Sequence, residues 1–154
     1  MSRPARGRAP VAVPILALPI LAGLGLLAGA AWIPAKAALA QILLERAFAA
    51  SLATGRPVRP WPSADTEPVA RLTLDGRSLI VLRGDSGQAL AFGPGHLAGT
   101  PEAGEPGTAV FAAHRDTQFR SLGRLAVGDA ITVERRDRVT VRFRVTGRRV
   151  ARWD

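Results

Sequence analysis

The chain has 154 residues, a formal net charge of +9 and no cysteine. That length suits one ordinary domain, or a smaller domain joined to a membrane segment. Within these residues the missing thiols exclude a disulfide framework, a Cys-ligated metal site and a thiol nucleophile.

Residues 1–10 are a short basic end carrying Arg3, Arg6 and Arg8. From Val11 to Ile33 the chain reads VAVPILALPILAGLGLLAGAAWI, without a single charge. About 20 such residues cross a bilayer core as a helix, so residues 11–33 are expected to be a transmembrane helix. Three arginines before the span and only Lys36 soon after it predict a single-pass protein of the inner (cytoplasmic) membrane. Its N-terminus would lie inside and its domain on the periplasmic or extracytoplasmic side. Trp32 falls where an interfacial aromatic would anchor the outer end. A cleavable signal peptide shares the basic start and the small residues AGAA, but its apolar core is usually about 7 to 15 residues. The longer run favours an uncleaved anchor, in which Pro14 and Pro19 are tolerable.

Residues 34–67 read as a helix and a proline-rich connector. In KAALAQILLERAFAASLATG, Leu39, Ile42, Leu43 and Ala47 have helical spacing, and Gly55 and Pro57 mark the stop. PVRPWPSADTEP is expected to lead an extended chain from membrane to domain rather than pack as a core element.

Residues 68–154 carry the β signals. Val69 to Leu74 and Ser78 to Arg83 flank Asp75-Gly76-Arg77, which predicts a hairpin with a short glycine-containing turn. GDSGQALAFGPGHLAGTPEAGEPG is dense in glycine and proline, marking loops with a short strand or single helical turn near Ala89 to Phe92. TAVFAA, residues 108–113, is the next expected strand. AITVERR and VTVRFRVTG flank Asp137 as a second hairpin, and RVARWD is expected to begin another strand. Val139, Val141, Phe143 and Val145 alternate with Arg138, Thr140, Arg142 and Arg144, giving one apolar face and one largely guanidinium face. This basic stretch reads as a solvated outer sheet face. With no nucleic-acid motif and an anchor placing it outside the cytoplasm, nucleic acid is not expected as a partner. Short strands at this spacing argue for a small, mainly β barrel or sandwich on a membrane tether.

His114 is the candidate for chemistry. A buried-type strand delivers it to a loop, where rigid scaffolds present reactive groups. Arg115 and Asp116 either hold that loop by an ion pair or turn hydrogen bond, or are solvent-exposed turn residues. His96 and His114 are the only histidines, and their spacing matches no local metal-ligand motif, so neither a metal nor another cofactor is expected. There is no G-x-S-x-G elbow to support a serine hydrolase.

The succession GPGH…GT…GEPG…AHRDTxF…L…GD between Leu90 and Ile131 resembles the sortases, most closely the marine proteobacterial type called class GN, and the likeness extends more loosely along the chain. The resemblance implies a closed eight-stranded β-barrel and a cysteine transpeptidase acting on secreted proteins that bear an LPXTG-like sorting signal. His114 matches the family's catalytic histidine, the general acid for the leaving amine. His96 falls in the GPGH turn, with a structural or groove-shaping role, and Arg115 and Asp116 would join the substrate groove or its support. Ala113 stands where many relatives have glycine, and Thr108 where many have asparagine. The family's cysteine ends a later strand, usually in a Thr-Leu-x-Thr-Cys pattern, and its arginine follows on the next strand; these residues contain neither strand. The expectation is therefore a C-terminally truncated, incomplete barrel with an uncovered edge and apolar face, inactive alone as a transpeptidase. The alternative is a non-catalytic, membrane-anchored sortase-like module for binding or assembly.

Overall fold

The computed structural model describes residues 12–151. The expected basic end at residues 1–10, Val11 at the start of the expected span, and the last three residues of RVARWD lie outside the described residues. The chain divides into two compact units, Met1–Ala38 and Leu39–Asp154.

A long helix, α1, covers Ala12–Thr54. Within the first unit, Lys36 Nζ lies 5.3 Å from the centre of the Trp32 ring, a cation–π arrangement. One described stretch, Ala35–Thr54, is long and apolar enough to cross a membrane by length and composition alone. In the second unit, however, Leu44, Ala47 and Phe48 of that stretch are buried, as in a core helix of a soluble domain. α1 ends as its sequence implies: Gly55 adopts φ 69° and its N–H returns to Ser51 O at 2.9 Å, a glycine stop without a Cβ penalty.

The connector differs from its expected extended course. Pro60, Ala64 and Thr66 are buried, Trp61 packs edge-on to Phe92 with ring centres 5.0 Å apart, and Val58 N–H donates to Ser51 Oγ at 3.0 Å. Proline restricts this segment, but an indole has enough apolar surface to dock it on the domain.

The rest is mainly β. Strands β1 (Pro68–Leu74), β2 (Arg77–Arg83), β3 (Gly95–His96), β4 (Phe111–Ala112), β5 (Ala130–Arg135) and β6 (Thr140–Arg144) form one sheet in the order β4-β3-β2-β1-β5-β6. β1 and β2 are the expected hairpin, with Leu74 opposite Arg77. Asp75 and Gly76 have φ 48° and 69°, the pair of positive angles that a two-residue turn of this kind requires. β5 and β6 are the second hairpin, with Ile131 opposite Phe143 and Val133 opposite Val141. A short helix, α2 (Gly87–Phe92), occupies the expected helical turn and is capped by Ser86, whose side chain accepts from Ala89 N–H.

Alternation along the strands builds two apolar layers. Ala70, Leu72 and Leu74 of β1, Val81 of β2 and Val133 of β5 gather with Ala103 and Leu125 on the inner face. Ile80 and Leu82 of β2 face the other way, against Leu44 and Phe48 of α1 and Ala89 of α2. On that outer face Arg71 ties helix to sheet: it pairs with Glu45 at 2.9 Å and Glu134 at 2.6 Å, with its guanidinium 4.9 Å from the centre of the Phe48 ring. Burial alone would lower the Arg71 pKa, but the hydrogen bonds and charges of Glu45 and Glu134 outweigh it and hold the pKa above the ordinary arginine value.

One expected strand is shorter, and another is not found among the described residues. TAVFAA contributes only Phe111 and Ala112 to the sheet; Val110 O still accepts from Leu97 N–H at 2.9 Å, while its own N–H donates to the Thr100 hydroxyl at 3.4 Å. Beyond β6, residues 145–151 carry no strand. Val145 still exchanges backbone bonds with Asp129 and Gly128 at 2.9 and 2.8 Å, after which the chain leaves the sheet.

Candidate active site

β3 and β4 set the frame of the site. Gly95 opposes Ala112 and His96 opposes Phe111 in an antiparallel pair, while β3 runs parallel to β2, with Gly95 beside Leu82. Gly95 is required for this approach, since a Cβ there would overlap the Gly84 carbonyl oxygen. The glycines of GPGH are thus a packing device as much as a turn.

His114 lies two residues past β4, exposed to solvent. Its carbonyl oxygen accepts from Thr117 N–H at 3.3 Å and Phe119 N–H at 3.1 Å, and Arg120 Nε–H donates to Asp116 O at 3.1 Å. These bonds close the loop on itself, holding the backbone under an imidazole that remains open to a reactant. Phe119 packs against the inner core layer, which fixes the far end of the loop.

Arg115 and Asp116 are exposed, each side chain at 87% of its full accessibility, and their closest charged atoms are 3.6 Å apart. A pair so exposed contributes little to stability. Both line an open cleft with Arg120, Arg148 and Arg149.

His96 points elsewhere. Its Nε2 lies 3.0 Å from Pro101 O and 3.2 Å from Thr100 Oγ1, and its ring is tilted over Phe111 at 5.4 Å. A carbonyl can only accept, so Nε2 carries the proton. The two histidines therefore flank the β3–β4 pair without sharing a hydrogen bond. Among the described residues, no three His, Asp or Glu side chains gather where they could hold a metal ion.

Beside His96 is a residue that sequence reading missed. Arg135 continues the inward side of β5 after Ile131 and Val133, and only 14% of its side chain is exposed. Its Nη2 reaches Asp137 at 2.7 Å and Glu105 at 3.5 Å, and Nη1 donates to Ala103 O at 3.2 Å. Nε is 3.0 Å from Glu102 Oε2 but lacks the alignment of a hydrogen bond, so that contact is an ion pair only. Arg135 thereby fastens the 102–105 loop to β5. No local pattern signals this, because the acids of that loop lie about thirty positions earlier in the chain.

A wider apolar groove opens on the inner face of the sheet. Leu72, Leu74, Phe111, Phe119, Ile131 and Phe143 are among its walls, and its volume is about 480 Å³. Because Phe111 and Phe119 bracket the His114 loop, groove and histidine are adjacent in the fold.

A half-barrel sheet with a histidine just beyond a short strand defines a recognisable class. Residues 73–154 match the family model of the sortase domain, and the chain belongs to the sortase family. The sortase D5 transpeptidase of Clostridium perfringens shares the fold, with 19% identity and a TM-score of 0.56 over 71% of this chain and 73% of that one. The pilus-related sortase C of Group B Streptococcus is 27% identical, with a TM-score of 0.45, over 50% of this chain and 43% of its own. Sortase A of Corynebacterium diphtheriae is 24% identical, with a TM-score of 0.49, over 55% of this chain and 43% of its own. The chain thus spans less than half the length of these last two structures. Among curated proteins, none matches.

Proposed function

We propose that this chain is the histidine-bearing part of a sortase-type cysteine transpeptidase, most like class GN, that cleaves an LPXTG-like sorting signal on secreted proteins and transfers the acyl group to an amine. The observation that carries this reading is His114, exposed two residues past β4 on a self-closed loop, within residues that match the sortase domain. Residues 11–33 are the proposed inner-membrane anchor, with residues 1–10 in the cytoplasm, 34–67 as the connecting segment and 68–154 as the extracytoplasmic barrel domain.

The chemistry assigned to His114 is proton transfer. A cysteine thiolate attacks the threonine carbonyl carbon of the signal, forming a tetrahedral adduct. On its collapse the carbon–nitrogen bond breaks, and the His114 imidazolium gives its proton to the departing glycine amine. An incoming amine then attacks the thioester, imidazole takes the proton back, and the thiolate is released. These 154 residues contain no cysteine, so the thiolate is not theirs, and no arginine among them is assigned to the oxyanion. Taken alone, the 154-residue chain is expected to show no thiol transpeptidation.

The absence of cysteine also favours a second reading, a membrane-anchored sortase-like module that binds or assembles without catalysis. The genomic DNA following the Asp154 codon separates the two. A frame encoding a Thr-x-Thr-Cys-like strand and a later arginine supports the transpeptidase. The longer polypeptide should then cleave an LPXTG-type fluorogenic peptide and lose that activity on His114→Ala. A His114→Ala protein as active as its parent sinks the assignment.

A further inference from the structure

The His114 loop forms one wall of a strongly cationic cleft whose other wall comes from the segment after β6. Arg115 and Arg120 on the loop face Arg148 and Arg149 across an open volume of about 730 Å³, with Phe119 and Leu122 supplying apolar lining. Among the described residues of this lining Asp116 is the one acid, so four arginines there stand against one carboxylate.

The guanidiniums are partly preset by the backbone. Arg148 Nη1 donates to Gly123 O, which draws the post-β6 segment towards the loop side of the cleft. Arg120 Nε donates to Asp116 O at 3.1 Å. A guanidinium anchored through one nitrogen keeps other N–H groups for a planar, two-oxygen acceptor. Because Arg115 directly follows His114, anything seated here is brought close to the imidazole.

We infer that this cleft is a specificity site for carboxylates, selecting substrate peptides with acidic residues flanking the segment presented to His114. The inference rests on the transpeptidase reading for the word substrate, but its physical content is a preference for acidic peptide. A peptide suits the lining better than a bare headgroup does. Carboxylates pair with the arginines in bidentate fashion, while Phe119 and Leu122 offer apolar surface to neighbouring side chains. Since the cleft is open, the attraction is screened by salt and acts within roughly 10 Å at 0.1 M ionic strength.

Fluorescence anisotropy on the full 154-residue chain in a zwitterionic detergent tests this. Four labelled peptides of equal length are compared: an LPXTG-type motif with two acidic residues on each side, the same motif with neutral flanks, and scrambled cores with each set of flanks. The expected result is at least about tenfold tighter binding of acidic over neutral flanks, since exposed arginine–carboxylate pairs give up to about fivefold each and several act together. That advantage should fall several-fold between 50 and 300 mM salt. It should disappear in Arg148→Glu/Arg149→Glu and persist in Arg148→Lys/Arg149→Lys, with thermal unfolding by circular dichroism showing that both variants are folded.

Equal affinity for acidic and neutral flanks overturns the carboxylate preference and leaves the transpeptidase reading in place. A preference for acidic flanks that ignores the motif upholds the cleft and counts against the transpeptidase reading. Binding to phosphatidylglycerol vesicles with no binding of any peptide makes this a headgroup site and overturns the inference, as does the absence of binding to both.

Discussion

His96 Nε2 and the carbonyl oxygen of Pro101 are 3.0 Å apart, and this contact holds the 97–101 turn against β3. The Thr100 hydroxyl donates to Leu97 O at 2.8 Å within the same turn. His96→Ala removes the donor from a part-buried carbonyl and the ring from Phe111. A loss of about 1–3 kcal/mol is expected, read as a lower urea midpoint at unchanged m-value. Nitrogen-15 spectra of the imidazoles should show the His96 proton on Nε2. A proton on Nδ1 in neutral His96 contradicts the turn described above.

Arg71 joins α1, β1 and β5 through Glu45 and Glu134 while lying over Phe48. All three charged side chains keep substantial contact with solvent, so each pair is worth about 0–1 kcal/mol, and the ring contact adds about 0.5–1 kcal/mol. Arg71→Ala should therefore cost about 0.5–3 kcal/mol. Arg71→Lys should fall between, since an ammonium cannot fork to two carboxylates. A double-mutant cycle of Arg71→Ala with Glu134→Gln should give a coupling energy above 0.5 kcal/mol, and additive losses would remove the claim that the pair is coupled.

The same guanidinium has a pKa raised above the ordinary arginine value. A raised pKa gives stability that is fully present below the unfolded value and is lost only as pH climbs through the folded one, here beyond the range in which proteins are usually studied. The chain has no tyrosine and no cysteine, and Lys36 is its one lysine. Chemical denaturation should accordingly give the same stability at pH 8.5 and pH 9.5, within experimental error. A fall of more than about 1 kcal/mol over that unit would mean that the Arg71 cluster, or another group, releases protons on unfolding.

Local chemistry made some of these elements legible and hid others. Asp75-Gly76 announces its turn because two consecutive positive φ angles suit few residue pairs. The β5–β6 hairpin follows from alternation around Asp137, and His114 stands out because an apolar run delivers it to a loop. From its neighbours alone Arg135 is indistinguishable from the other arginines of its basic stretch. Its acidic partners Glu102 and Glu105 come from another loop, and only the register of β5 against β1 turns it inward. The four-arginine cleft was equally hidden, because Arg148 and Arg149 leave the sheet where continued alternation predicts a strand.

Docking of the connector through Trp61 was hidden in the same way, since its partner Phe92 lies on α2. Trp61→Ala removes the aromatic pair, worth about 0.5–1.5 kcal/mol beyond its buried area. Cleavage between Val58 and Asp65 by a non-specific protease should be slow in the parent chain and several-fold faster in the variant, at equal unfolding temperature of the sheet. Rapid cleavage in both would restore the freely extended connector.

The inner groove can be probed because the chain contains no cysteine, so any introduced thiol is unique. Phe143 and Val133 both belong to the inner face, but Phe143 retains 40% of its accessibility while Val133 keeps 1%. Phe143 lies on β6, whose described pairing is to β5 alone, and its ring forms a wall of the groove. In Phe143→Cys the thiol should react with a water-soluble maleimide at near the rate of a free thiol. In Val133→Cys, modification must wait for local opening of the sheet, so the rate should be at least about tenfold lower. A Phe143→Cys thiol as protected as that of Val133→Cys would mean that something covers the groove in solution. Equal fast rates would mean that the β1–β5 pairing opens readily, and the groove would then not be a fixed feature of the fold.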